Sequence, residues 1–148
     1  MVQIQDTKVV QLVAPQTIGT TAVSGYVDTL GYDHLRVYYI GATAVSTDTI
    51  TALKLQEGDT TSAFTDISGA VGGTAATGGF IIPVPNTSTP DTTVFDVSMA
   101  RTLRKRYINV SITGDATTRT TSVIGILGRA AVSPDTDTLC GAAEIVYV

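Results

Sequence analysis

The chain has 148 residues, a net charge of −4 and a charged fraction of only 15%, with 43% hydrophobic residues, 14 glycines and no tryptophan. A length of this order sets one domain as the default and gives enough interior for a core without covalent staples. The acidic balance argues against a nucleic-acid partner, which needs a basic face. The single cysteine, Cys140, excludes an internal disulfide framework. No run approaches the ~20 apolar residues of a membrane span. No basic-then-apolar leader is visible in "MVQIQDTKVVQLVAPQ", so synthesis in the cytoplasm is the expectation.

Threonine is the commonest residue and valine is abundant, while the good helix formers Leu, Glu and Lys are scarce. Branching at Cβ suits a pleated strand better than a helix. The chain therefore reads as all-β, an antiparallel β-sandwich of jelly-roll type with very little helix. In chain order, residues 1–15 form an arm or edge strand closed by Pro15, and residues 16–148 form the sandwich. Val9, Val10 and Leu12 in the first segment are candidate contacts to a neighbour.

"HLRVYYI" alternates cleanly. Leu35, Val37 and Tyr39 point one way; His34, Arg36, Tyr38 and Ile40 point the other. One of the tyrosine pair must face outward, and Tyr38 is the candidate anchor. In "TITALKLQEG", Ile50, Ala52 and Lys54 share one face, and Thr51, Leu53 and Leu55 the other. "LKLQEGDTTSAFTDISGA" reads as a hairpin whose carboxylates Glu57, Asp59 and Asp66 punctuate the turn and the solvent face. Gly69–Gly79 is read as a long loop, and Pro83 and Pro85 confine "FIIPVP" to an edge or a strand end. A strand over Thr93–Met99 follows. "RKRYINVSIT" and "TTSVIGILGRA" flank "GDATTR" as a second hairpin. "SPDTDTLCG" is a turn, and "AAEIVYV" a C-terminal strand.

The chemistry is thin. An EF-hand would need glycine at the sixth and glutamate at the twelfth position of "EGDTTSAFTDIS", where Ser62 and Ser68 stand. Asp135 and Asp137 are a turn-like pair. One histidine and one cysteine do not make a zinc site, and "GAVGGTAATGG" lacks the Lys-Ser/Thr end of a phosphate loop. The expectation is no catalytic residue, no metal and no cofactor. In "RTLRKRY", Arg104 and Arg106 share a strand face. They read either as a solvated strand start or as an interface for an acidic neighbour.

The segments "YDHLRVYYIGATAVSTDTITALKLQEGDTTSAFTDISGA" and "LRKRYINVSITGDATTRTTSVIGILGRA" resemble tailed-phage capsid decoration (cement) proteins of the small all-β kind. The pattern is "ALKLQEG", a short turn, "FTDISGA", then "RYINVSIT", a polar connection and "SVIGILGRA". The resemblance implies a bacteriophage structural protein on the outer surface of the virion's capsid. It implies trimers or other small homo-oligomers, bound to the major capsid protein and holding the shell against internal DNA pressure. The acidic composition and the lack of a long apolar run give the matching expectation of no nucleic-acid and no membrane partner. The alternatives are a tail or baseplate-associated module and a host-glycan-binding β-sandwich. The lack of tryptophan argues against the glycan reading.

Overall fold

The computed structural model describes residues 7–73, 79–99, 103–115 and 119–130. These form nine strands: β1 Lys8–Ile18, β2 Val23–Asp28, β3 Tyr32–Gly41, β4 Ile50–Gly58, β5 Thr65–Gly73, β6 Phe80–Ile81, β7 Asp91–Ser98, β8 Tyr107–Gly114 and β9 Arg119–Ala130. No helix occurs among the described residues. The strands make two sheets, a four-stranded one ordered β1-β9-β3-β7 and a five-stranded one ordered β2-β8-β4-β5-β6.

The antiparallel pairs nest: β1 with β9, β2 with β8, β3 with β7 and β4 with β5. The chain is thus one long ribbon that doubles back at the β4–β5 turn. Its successive pairs fall alternately in one sheet and the other, which is the jelly-roll arrangement. The expected all-β sandwich is what the chain forms. β6 adds a short parallel edge beside β5, Gly72 opposite Phe80 and Gly73 opposite Ile81.

Alternation builds the core. Leu35, Val37 and Tyr39 of β3, Val123 and Leu127 of β9, and Phe95 and Val97 of β7 face Leu53 and Leu55 of β4 and Ile108, Val110 and Ile112 of β8. In β4 the pattern departs from strict alternation. Ile50 turns inward with Leu53 and Leu55, because the register against β8 shifts between Ile50 and Ala52. One extra residue flips the face that the following side chains use. β1 runs on through Pro15 to Ile18, with register shifts on both sides of Val13. An edge position tolerates a residue that cannot donate to the ladder.

Two sequence expectations are corrected. β8 and β9 are not a hairpin: they lie in different sheets, and the chain crosses over between them. At the crossover Gly114 N donates to Gly19 O at 2.9 Å and Asp115 N to Thr49 O at 3.1 Å. Alternation in both arms sets which side chains go inward, but not which strands pair. The first part of the stretch read as a loop from Gly69 is strand instead. Gly69–Gly73 belong to β5, and a Cβ at Gly72 would stand 2.4 Å from the Phe80 ring. The expected C-terminal strand, its turn and Cys140 lie outside the described residues.

The two sides of the sandwich differ. On one side β1 and β2 close tightly: a Cβ on Gly25 would lie 1.8 Å from the Leu12 carbonyl oxygen. On the other, the β5 and β7 edges part around a cleft of about 590 Å³, floored by Leu55, Ile67, Phe80, Phe95 and Val97. Gly25→Ala is expected to destabilise the fold by at least the ~1–3 kcal/mol typical of overpacking, since backbone stands in the way. A urea titration checks this, with a lower midpoint at unchanged slope as the expected outcome.

Candidate functional site: the outer face of the four-stranded sheet

On β3 the residues that turn away from the core are His34, Arg36, Tyr38 and Ile40. The pairing lines them up with their neighbours. One row across the sheet is Gln11, Ile124, Tyr38, Val94; the next is Val9, Ile126, Arg36, Asp96. Six apolar or aromatic side chains from all four strands thus share one outer face. Val94 is 50%, Val9 43% and Ile40 37% exposed, and Ile124, Ile126 and Tyr38 are partly so. A contiguous apolar stretch on a sheet's water side is the feature that marks contact surfaces.

The second row ends in charge. Asp96 accepts from Arg36 Nη2 at 2.7 Å and also contacts His34 Nε2. The Arg36 guanidinium, with His34 second, holds the Asp96 carboxyl below its ordinary value. Arg36 is in turn raised by Asp96 and by Tyr38. A shallow groove runs beside them, lined by Thr7, His34, Arg36, Tyr38, Ile126 and Gly128.

The structure splits the residues singled out in the sequence. Val9 and Tyr38 share this face. Val10 and Leu12 turn inward, Leu12 as a core residue. Arg104 and Arg106 lie elsewhere, where the chain enters β8, and both are paired within the chain. Arg104 Nη1 stands 3.5 Å from Glu57 Oε2. Arg106 donates through Nε at 2.9 Å and Nη2 at 2.6 Å to the two oxygens of Asp28, and its guanidinium lies 5.0 Å from the Tyr107 ring centre. The hairpin carboxylates are the other half of this network. Glu57 also accepts from Lys105 N at 3.3 Å, Asp59 pairs with Lys105 Nζ at 3.3 Å, and Asp66 accepts from Gln56 at 2.7 Å and Lys54 at 3.1 Å. They stitch β4, β5 and the β8 start together. Among the described residues no three His, Cys, Asp or Glu side chains group as metal ligands would; Asp135 and Asp137 lie outside those residues.

One polar site went unread in the sequence. Arg119 and Asp91, 2% and 8% exposed, form a buried pair, with Arg119 Nη2 donating to Asp91 Oδ2 at 2.7 Å and to the Ala42 carbonyl at 3.0 Å. Tyr39 lies beside them, and burial pushes its hydroxyl up to about 12. Parity was the available signal. Arg119 is in step with the inward Val123 and Leu127, and Asp91 with Phe95 and Val97.

No known protein family and no curated protein matches the chain. Among solved structures, it is similar to a chain of the Bacillus endospore appendages, described as a family of disulfide-linked pili. The identity is 17% and the TM-score 0.43, covering 84% of this chain and 90% of that one. It is also similar to a chain of the infectious bursal disease virus Gx strain, at 12% identity and a TM-score of 0.45, covering 86% of this chain and 35% of that one. At these scores the likeness carries no argument about function.

Two predictions follow from the charges. Removing one partner of a buried pair strands the other, so Asp91→Ala is expected to cost ~3–5 kcal/mol in chemical denaturation. The exposed carboxylates give a pH dependence. Asp28, Asp66 and Asp96 are each held below the ordinary 3.8, chiefly by Arg106, Lys54 and Arg36. A carboxyl lowered on folding stabilises above its unfolded value and loses that contribution as pH falls through its folded value. The melting temperature should therefore hold down to about pH 5 and fall below about pH 4. Combining Asp28→Asn, Asp66→Asn and Asp96→Asn should flatten that acid limb, modestly because these pairs are solvent-screened.

Proposed function

We propose that this chain is a virion structural protein, a decoration protein of the outer capsid surface that bridges and stabilises major capsid subunits. The observation that carries the reading is the group of six apolar or aromatic side chains on the outer face of the four-stranded sheet. They offer a flat, rigid surface built on paired strands rather than on loops. We assign this face to the contact with the capsid shell. The resemblance of Tyr32–Ala70 and of the segment from Leu103 to small phage decoration proteins points the same way. That resemblance spans strands of both sheets.

Such a role needs no reacting group. It needs a stiff body and a modest contact repeated many times over a symmetric lattice, where each added site acts through effective concentration. The internally paired charges fit this role: Arg104, Arg106 and the carboxylates they engage stiffen the five-stranded sheet. A small homo-oligomer, a trimer in the first instance, would multiply the contact again.

Virions imaged at high resolution are expected to carry the protein on the outer shell; its presence only in tails, or its absence from particles, overturns the proposal. Val94→Lys and Ile124→Lys test the face itself. Each removes an apolar side chain worth about a tenfold change in affinity when buried. Binding to undecorated capsids should drop by roughly that factor or more, with melting temperatures close to the parent's. Unchanged binding would move the contact off this face.

A further inference from the structure

Buried polar atoms without partners are rare in folded chains, and each one asks for an explanation. Among the described residues four occur: Tyr39 Oη, Thr93 Oγ1, Arg119 Nη1 and Thr121 Oγ1. They are neighbours. Thr93 is directly opposite Tyr39 across the β3–β7 pair, and Thr121 is opposite Gly41 across the β3–β9 pair. Asp91, which holds Arg119, is opposite Gly41 on the other side. Tyr39 and Thr93 thus share one row of the sheet, Thr121 sits on the next beside Gly41, and Arg119 stands two residues further along β9.

The glycine is informative. A Cβ at Gly41 would stand 2.7 Å from both Tyr39 Oη and Arg119 Nη2. The space in front of this backbone is thus bounded by polar groups, and a side chain would intrude on it. Tyr39, Arg119 and Thr121 are each no more than 2% exposed. Bulk water does not satisfy them.

We infer that one ordered water molecule occupies this internal site. Its oxygen accepts from Arg119 Nη1 and Tyr39 Oη, and it donates to Thr121 Oγ1. Three bonds are the usual complement of a buried water. The ligand is water rather than an anion because the Arg119 charge already has its partner in Asp91 at 2.7 Å. An anion would leave one uncompensated charge in the dry layer, which proteins avoid. Thr93 also lines the cleft between β5 and β7. The water would link β3 and β9 beside the Arg119–Asp91 pair, while Tyr39 Oη and Arg119 Nη2 themselves leave room only for glycine at position 41.

A crystal structure at about 1.5 Å, with a second crystal soaked in bromide, tests this directly. The expected result is one water-sized peak within ~2.7–3.2 Å of Arg119 Nη1 and Tyr39 Oη, with no anomalous bromide signal. An empty site, a bromide peak or a direct Arg119–Tyr39 bond overturns it. Tyr39→Phe gives an independent readout in solution through its sign. If the hydroxyl is bonded to water, its loss lowers the melting temperature by roughly 2–5 °C. If it is an unpaired group in a dry void, the variant melts at the same temperature or higher, and the inference fails.

Discussion

A two-sheet sandwich has a single dry layer, and every long strand must hand alternate side chains to it. That constraint organises the molecule. Strand after strand, from Leu35 in β3 to Leu127 in β9, contributes inward residues two apart. Where spacing and layer disagree, the backbone yields. The irregularity between Ile50 and Ala52 returns Ile50 to the interior. The shifts around Val13 let an edge strand pass Pro15 and still bring Ile18 into the core. The polar interior obeys the same rule. Arg119 and Asp91 point inward because their positions demand it, and each supplies the other's partner there.

The same constraint explains what could be read in advance. Period two is written in the residues themselves, so the faces of β3, β8 and β9 were legible. The β4–β5 hairpin was legible too, because its partners are close in sequence and a Gly-Asp turn joins them. Pairing between distant strands was not. β8 and β9 look like hairpin arms, since alternation and a short polar connection are all that a local reading can weigh. The chain crosses between sheets there because β8 and β9 already have partners from the other half of the ribbon, β2 and β4 for one and β1 and β3 for the other. Those partners lie ~50 residues or more away, beyond any turn signal.

The candidate surface was half legible for a similar reason. Parity put Tyr38 outward, and Val9 looked like an edge contact. That the two belong to one face with Ile124, Ile126 and Val94 depends on strand order. Arg104 and Arg106 show the converse. As a basic cluster they suggest an external acidic partner, yet Glu57 and Asp28 sit within reach once the ribbon folds. A charge cluster in a sequence reports a need for counterions, and the fold decides who meets it.

The β1–β9 pairing has a mechanical consequence. Lys8 is opposite Leu127 and Ile18 is opposite Arg119, so β1 begins where β9 ends. A pull applied across those two points would load the ladder from one end and open its hydrogen bonds one after another, as a zip opens. A pull directed along the strands through the sheet's broad face would load the same bonds together. The fold is therefore weak to tension on its two flanking segments and strong to shear across its faces, and a load-bearing attachment suits the face.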